Sequence, residues 1–324
     1  MFSFGVCELD DYEVKGRLPF RNLRAELRRK RISMKLLRLD DAPSETAITV
    51  YSRIMRELMF GNGTSRTTWR GRFADLDRAL IALLEQRFAS DAKLLAADWA
   101  AADRLTSTEL AVALFARFPH ASLAASDLTD FLVEIIDSNG TTVIQDPQGH
   151  SLQVIRPPFV VRLQPPESWL VPLNRIVAKR ALARLTSHRL EIPRAWLDSE
   201  EESFSIPPFT VRKISLVHPE AKRLAQQDSR FTMERHSVFT PMDRPADVIR
   251  SMNIFNRSYF PVERLSEGAR AVHASLKMGG LWIVGRTAED RHTATIFEKR
   301  ENGFRVVERF GGGSEIEEIA LSAG

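Results

Sequence analysis

Two acidic residues end short apolar runs, in positions suited to binding a ligand that contains ribose. Asp98 ends the run that begins at Lys93, and Asp127 ends the run that begins at Ser122. A carboxylate at the end of the second strand of a strand–helix–strand unit can accept hydrogen bonds from ribose hydroxyl groups. Small residues at positions 100–102 would let the backbone approach such a ligand closely. The pattern predicts a binding site that includes Asp127.

A third candidate group follows a later apolar run. Met252 and Asn253 end the run that begins at Ala246. Ligands of open parallel sheets bind beyond the carboxyl ends of the strands. If all three runs are strands of one such sheet, the amide of Asn253 can reach the ligand or a substrate.

Periodicity identifies the elements that must position these residues. Between the first two runs, apolar residues recur at helical spacing from Leu110 to Phe118. Thr106 and Glu109 fit a capping box at the start of this helix. A strand, a helix and a strand in this order are typical of a parallel sheet.

Later segments continue the pattern. We expect strands over 231–239, 246–253 and 281–285, and a helix over 262–276. Two final strands, 293–299 and 304–310, flank Asn302-Gly303, which is a strong hairpin signal. The sequence therefore predicts an α/β fold with a Rossmann-like core, in which a mostly parallel sheet ends in a C-terminal antiparallel hairpin.

Two segments depart from this pattern. Residues 1–90 show helical periodicity without strand signals, which predicts a helical N-terminal cap or lead-in before a domain of residues 91–324. Residues 135–225 contain a hairpin signal around Asp146–Gly149 and a basic amphipathic helix near 170–185. They indicate an insertion in the core.

Composition narrows the class of protein. The chain has 324 residues, of which 44% are hydrophobic and 27% charged, with a formal net charge of +4. No apolar run approaches the roughly 20 residues that cross a bilayer. One cysteine, Cys7, cannot form an intrachain disulfide, so we expect a reducing, cytoplasmic setting. The scattered histidines lack metal-ligand spacing, so no metal site is predicted.

The strand ends resemble the motifs of class I methyltransferases that use S-adenosyl-L-methionine (SAM). Asp98-x-Ala100-x-Ala102-x is similar to the first motif of this family, an acid followed by spaced glycines. Asp127 matches the ribose-binding acid of the second motif. The stretch from Met252 to Phe260, followed by Met278-Gly279-Gly280, resembles the chemotaxis-receptor type locally.

This resemblance implies a Rossmann-like methyltransferase domain, with SAM as cofactor and a small-molecule or protein methyl acceptor. It implies that Ser237 and Val238 contact adenine. The full set of implied cofactor-binding residues is Asp98, Ala100, Ala102, Asp103, Arg104, Asp127, Ser237, Val238, Met252 and Asn253. The polar groups expected nearest the methyl group are Asn253, Tyr259 and His236.

The cofactor loop departs from the family pattern. Alanines replace two glycines, and the third glycine position falls at Arg104. Its guanidinium could crowd the cofactor or pair with the methionine carboxylate. The alternative function is a catalytically inactive, methyltransferase-like binding or regulatory protein. It would contact a protein, a nucleic acid or an anionic membrane through basic helices near 21–35 and 170–185. Acidic residues are mixed with the basic residues through most of the chain, so binding to a nucleic acid or to an anionic membrane is not the favoured interpretation. The sequence does not define an oligomeric state.

Overall fold

The computed structural model describes residues 5–13, 31–39, 43–164, 172–288 and 291–323. The chain divides into two compact units. The α/β unit consists of Thr68–Asp130 and the described residues from Glu220 onward. The β-rich unit consists of the described residues up to Thr67 and of Phe131–Pro219. Residues 21–30 of the predicted basic N-terminal helix lie outside the described residues.

The helices and strands have the following bounds. The helices are α1 Leu9–Glu13, α2 Glu45–Glu57, α3 Ala74–Arg87, α4 Leu105–Arg117, α5 Pro172–Ser187, α6 Arg194–Leu197, α7 Pro219–Gln227, α8 Val262–Ser275 and α9 Glu317–Leu321. The strands are β1 Leu95–Trp99, β2 Ser122–Asp127, β3 Phe131–Asp137, β4 Thr142–Gln145, β5 Ser151–Arg156, β6 Phe159–Arg162, β7 Ser203–Ile206, β8 Phe209–Ser215, β9 Phe231–Arg235, β10 Ala246–Met252, β11 Leu276–Ala288, β12 Arg291–Arg300 and β13 Gly303–Phe310.

The α/β unit is built on a seven-stranded sheet in the order β9-β2-β1-β10-β11-β12-β13. The five strands from β9 to β11 run parallel to one another, whereas β12 is antiparallel to β11 and β13 is antiparallel to β12. This confirms the predicted α/β fold, with a mostly parallel Rossmann-like sheet and a C-terminal antiparallel hairpin.

The order of the strands indicates where in the sheet a ligand is expected to bind. The chain proceeds from β1 outward to β2 and β9, and then returns to β10 on the other side of β1. Strand order therefore reverses between β1 and β10, which is where open α/β sheets bind ligands. Apolar side chains of the central strands pack under α8 and α9 on one face; examples are Trp99 and Trp282, at 1% and 0% exposure. All seven residues of β10 are buried, so both of its faces are covered, which explains why the strand has a continuous apolar sequence pattern.

The β-rich unit holds a six-stranded antiparallel sheet in the order β6-β5-β4-β3-β8-β7. Alternate residues of β3 face opposite sides, as the strand period requires. Leu132 packs with α2 and the segment around Met34, whereas Val133 packs with α5. The hairpin predicted around Asp146–Gly149 is confirmed as the β4–β5 connection.

The unit boundaries differ from the boundaries expected from the sequence. The expected division at residue 90 falls after α3, but α3 packs against α4 and belongs to the α/β unit. The expected insertion of 135–225 corresponds to Phe131–Pro219, which joins the residues up to Thr67 in one unit. Periodicity identifies helices, but it does not show which sheet a helix covers. Within the described residues, no helix combines the length and apolar character that crossing a membrane requires.

Candidate functional site

The loop after β1 contains three alternate residues with positive φ, a conformation that favours glycine, although the loop contains no glycine. Ala100, Ala102 and Arg104 have φ angles of 57°, 52° and 66°. A left-handed conformation costs an L-residue roughly 1–2 kcal/mol, so contacts must hold it in place. The amide of Ala101 donates to the carbonyl of Ser126 at 2.9 Å, and the amide of Arg104 donates to the carbonyl of Ala101 at 2.8 Å. The three left-handed residues occupy the three glycine positions of the motif that Asp98 begins.

This strain leads to a prediction about stability. Ala102→Gly should raise the free energy of unfolding by about 0.5–1 kcal/mol, because glycine adopts positive φ without the steric cost. Ala100→Gly should act in the same direction, and urea denaturation measures both. A matched control is Ala111→Gly in α4, at 0% exposure, which should be destabilising. If Ala102→Gly is as destabilising as Ala111→Gly, the loop does not adopt the left-handed path.

Asp127 lies at the end of β2 and contacts this loop. The amide of Ala102 donates to its Oδ2 at 2.9 Å, and the amide of Thr129 donates to its Oδ1 at 3.0 Å. Each carboxylate oxygen can accept a further hydrogen bond. The next residue, Leu128, is 55% exposed and offers an apolar surface beside the carboxylate. Sequence analysis did not single out Leu128; the available signal was an apolar residue directly after the acid.

Arg104 is buried, at 1% exposure, between the ends of β2 and β9. Its Nε donates to the carbonyl of Ala125 at 3.4 Å, and its Nη2 donates to the carbonyl of Glu234 at 3.3 Å. The Asp130 carboxylate is 3.7 Å from Nη2. Nη1 makes no hydrogen bond within the described part of the chain. The guanidinium therefore stabilises the β2–β9 side of the site, and Nη1 is its remaining donor.

The predicted capping box of Thr106 and Glu109 is wrong. The N-cap of α4 is Arg104, which is left-handed and has no side-chain cap. Glu109 instead accepts a hydrogen bond from the amide of Gly71 at 2.8 Å. The helix begins earlier than the capping pattern indicated because the loop turns sharply at Arg104.

Asp98 supports the loop from within the sheet. Nε of Arg250, on β10, donates to its Oδ1 at 2.9 Å, and Nη2 donates to its Oδ2 at 2.6 Å. The hydroxyl of Ser107, in α4, donates to Oδ2 at 2.5 Å. The two oxygens are thus engaged by protein donors. Asp98 joins β1 to β10 and α4, and these contacts favour a structural role over direct contact with a ligand.

Arg72 is a candidate site residue that sequence analysis missed. Its guanidinium carbon is 4.4 Å from the ring centroid of Trp69 and 5.1 Å from that of Phe73. Burial lowers the pKa of Arg72 to about 10, although Coulomb interactions with Tyr259 and Asp103 act to raise it. Arg72 is thus a cation close to two predicted site residues, one from the loop after β1 and one from the segment after β10. The available signal was an arginine within a short aromatic run before α3.

Asp103 is a buried carboxyl group of the same loop, at 1% exposure. Burial raises the pKa of Asp103 to about 7, and hydrogen bonds from the amide of Leu105 and the side chain of Thr68 oppose this effect. The Leu105 amide is 3.0 Å from Oδ1. Asp103 therefore exchanges its proton near neutral pH, which makes the charge of the loop depend on pH.

Asn253 follows β10 and is itself left-handed, with a φ angle of 64°. Its amide donates to the carbonyl of Gly285 at 2.8 Å, and its Oδ1 accepts from the amide of Thr287 at 2.7 Å. Its Nδ2 donates to no described residue. Met252 is 6% exposed, so it offers a ligand mainly its backbone. Tyr259 is half-buried, and its amide donates to Oδ1 of Asn256 at 3.1 Å.

His236 follows β9 and lies against Trp99, with ring centroids 4.7 Å apart. Burial lowers the pKa of His236, which favours the neutral ring. Neither Nε2 of His236 nor Nε1 of Trp99 has a hydrogen-bond partner within the described part of the chain. His236 also lines a cavity of about 540 Å³ over β1, β2 and β9. Ser237 accepts from the amide of Phe239, and Val238 packs in the core at 7% exposure, so only the backbone of Val238 is suited to contact adenine.

The structure thus brings the predicted site residues to the ends of four neighbouring strands, β9, β2, β1 and β10. Within the described residues, no group of three histidine, cysteine or acidic side chains is arranged to hold a metal ion. This edge of the sheet contains buried carboxylates, a buried cation, a strained loop and two ring nitrogens that have no hydrogen-bond partner among the described residues. Strained backbone and unpartnered buried polar groups are concentrated at functional sites.

Comparisons with known proteins identify no family. No family model matches the sequence, and no curated protein is significantly similar to it. Several solved structures are similar at a low level. One is an O-methyltransferase family protein from Burkholderia thailandensis, with 10% identity, a TM-score of 0.28, and coverage of 76% of this chain and 42% of that chain. Another is the CMeT domain of the citrinin polyketide synthase, with 10% identity, a TM-score of 0.33, and coverage of 76% of this chain and 40% of that chain.

A third similar structure is an O-methyltransferase from neocarzinostatin biosynthesis, in complex with S-adenosyl-L-homocysteine (SAH) and 1,4-dihydroxy-2-naphthoic acid. It shares 11% identity and a TM-score of 0.26 with this chain, and the match covers 65% of this chain and 40% of that one. Each match spans less than half the length of the solved chain. These identities and TM-scores are too low to establish a common function.

Proposed function

We propose that the α/β unit is a SAM-dependent methyltransferase that acts on a small-molecule or protein acceptor. The observation that carries the proposal is the loop after β1, where Ala100, Ala102 and Arg104 alternate in the left-handed conformation. A strand whose penultimate residue is Asp98 precedes this loop, and a helix follows it. A chain that keeps this path without glycine maintains backbone strain at a ligand-binding edge.

The residues at this edge fit the chemical groups of SAM. The Asp127 carboxylate can accept from ribose hydroxyls, and the exposed Leu128 side chain can cover one face of adenine. Arg72 is suited to the methionine carboxylate because it is a partly buried cation beside Asp103. The ionised form of Asp103 can receive the amino group. These assignments give the ribose, adenine, carboxylate and amino groups of the cofactor partners of matching chemistry.

Methyl transfer depends mainly on alignment and exclusion of water. SAM supplies a methyl group on a sulfonium sulfur, which an acceptor atom attacks in line. In the proposed site, Nδ2 of Asn253 and the hydroxyl of Tyr259 orient the acceptor. His236 can hold the acceptor proton at Nε2, since its lowered pKa keeps the ring neutral at pH 7.

Calorimetry with SAM and SAH tests the proposal, and Arg72→Gln is the informative variant. We expect the parent protein to bind both compounds. Arg72→Gln should weaken both by about tenfold, the scale of one charge-assisted hydrogen bond. Arg70→Gln is the matched control, because Arg70 is 61% exposed and pairs with Glu220; it should bind like the parent.

The alternative function predicts a different result. An inactive scaffold would give no heat and no shift in melting temperature at millimolar SAM or SAH. That outcome in a folded parent protein would contradict the methyltransferase proposal. If Arg72→Gln and Arg70→Gln both bind like the parent, the cofactor proposal stands but the role of Arg72 does not.

A further inference from the structure

Arg250 is the centre of a buried ionic network beneath the cofactor loop. In addition to its two hydrogen bonds to Asp98, its Nη1 donates to Oδ1 of Asp77, in α3, at 2.6 Å. Its guanidinium carbon is 5.3 Å from the ring centroid of Phe73. Arg250, Asp98 and Asp77 are 1%, 3% and 6% exposed. One guanidinium therefore connects β10, β1 and α3 in the interior of the α/β unit.

The network contains more negative than positive charge. Asp77 and Asp98 share the single cation Arg250, so with both carboxylates ionised it carries one net negative charge. Thr106 and Ser107 supply only neutral hydroxyl groups from α4. Glu109, also in α4, is a further acid whose charge opposes the ionisation of Asp77. The charged groups that face Asp77 are thus Arg250, Asp98 and Glu109.

Asp77 is the member whose charge changes near neutral pH. Burial raises the pKa of Asp77 to about 6, and Arg250 opposes this effect. The pKa of Arg250 is raised, because its interactions with Asp77 and Asp98 outweigh the opposite effect of burial. Above pH 6 the network is therefore predominantly negative, and below pH 6 it approaches neutrality.

We propose that the net negative charge of the Asp77–Arg250–Asp98 network makes the site prefer a cationic sulfonium cofactor over its neutral thioether product. This inference rests on the proposed function. SAM carries one more positive charge than SAH, and the loop that would bind both follows Asp98 and Trp99, the last two residues of β1. A buried charge acts through a medium of low effective dielectric constant, so it is screened less than a surface charge. Asp77 is then a specificity-determining residue that need not touch the ligand, and it assists the release of product.

The test compares Asp77→Asn with the parent by calorimetry at pH 8, using SAM, SAH and sinefungin, which carries an amine in place of the sulfonium. Asparagine preserves an acceptor for Arg250 and removes the charge. We expect the preference for SAM and sinefungin over SAH to fall by about three- to tenfold in Asp77→Asn, the order of one charge at an effective dielectric constant of about 20. A merely structural loss would weaken all three ligands equally. The matched control is Asp75→Asn, on the same helix with a side chain 84% exposed, and it should preserve the parental ratio.

Repeating the titrations at pH 5 gives a second measurement. The parental preference for cationic ligands should fall between pH 8 and pH 5, because Asp77 gains a proton. Asp103, whose pKa is about 7, titrates in the same pH interval. In Asp77→Asn, the preference for cationic ligands should therefore decrease between pH 8 and pH 5 only by the amount that protonation of Asp103 causes. An unchanged ratio in Asp77→Asn at pH 8 would overturn the inference while leaving the proposed function intact. Absence of binding of all three ligands to the parent would instead overturn the proposed function and this inference together.

Discussion

Replacing Arg250 with methionine is expected to lower the free energy of unfolding by about 3–5 kcal/mol, the usual cost of removing one partner from a buried ion pair. Methionine fills part of the space of the arginine stem. It leaves Asp77 and Asp98 buried, at 6% and 3% exposure, without their cation. Rehydrating either carboxylate would require α3 or α4 to open. Urea denaturation at pH 8 measures the loss.

The dependence on pH has a defined sign. The pKa of Asp77 in the folded protein is already raised to about 6, so ionising it opposes folding as the pH rises through that value. Loss of Arg250 raises this pKa further. The destabilisation caused by Arg250→Met should therefore be largest above neutral pH and should shrink in acid.

Two further variants separate buried charge from general disruption. Arg78→Met removes an ion pair with Asp75 in α3, in which the side chains are 77% and 84% exposed. It should cost no more than about 1 kcal/mol, as surface pairs do. Combining Arg250→Met with Asp77→Asn should restore part of the stability, because one uncompensated charge disappears. A loss in Arg250→Met no larger than in Arg78→Met would show that the carboxylates do not depend on Arg250.

The second large effect concerns cofactor affinity. Asp127→Ala should weaken SAH binding by about 1.5–3 kcal/mol, the value for hydrogen bonds to a charged group, which corresponds to roughly tenfold to 150-fold. The variant removes the proposed ribose acceptor and also the partner of the Ala102 amide, 2.9 Å away. Calorimetry provides the affinity, and circular dichroism confirms that the variant is folded.

Asp127→Asn is the companion variant. Its amide oxygen can still accept from one backbone amide, so it should bind SAH with an affinity between those of the parent and of Asp127→Ala. If folded Asp127→Ala binds SAH as tightly as the parent does, Asp127 is not a cofactor ligand. Asp127 would then serve only to hold the loop and the turn at Thr129.

Much of the α/β core could be predicted because its signals are local. Apolar runs ending in Asp98 and Asp127 became β1 and β2. Asn302 lies in the turn between β12 and β13, and Gly303 is the first residue of β13. In a parallel sheet, strand ends converge on one edge, so the positions of the candidate site residues followed from the strand assignments. The individual ligand contacts stay predictions, including the assignments of Asn253 and Tyr259.

The features that sequence analysis missed depend on contacts between distant residues. Arg250 is 152 residues from Asp98 and 173 residues from Asp77 along the chain. Each looks like an ordinary residue of a strand or helix, and no periodicity pairs them. Arg72 was missed for the same reason, because its proximity to Tyr259 arises only in the folded unit. The capping box failed because the backbone of Arg104, in the left-handed region, begins the helix without a side-chain cap.

The left-handed loop also determines how proteins with such a site can be found. A search pattern written in residue letters, with glycine required at each position, would reject Ala100, Ala102 and Arg104. A search pattern based on backbone dihedral angles, which requires three alternate residues at positive φ between a strand and a helix, would accept them. Proteins that share this route of the main chain could therefore share a ligand while their sequences show no common motif. At such a site the course of the backbone defines the loop, and glycine is only one of the residues that can adopt it.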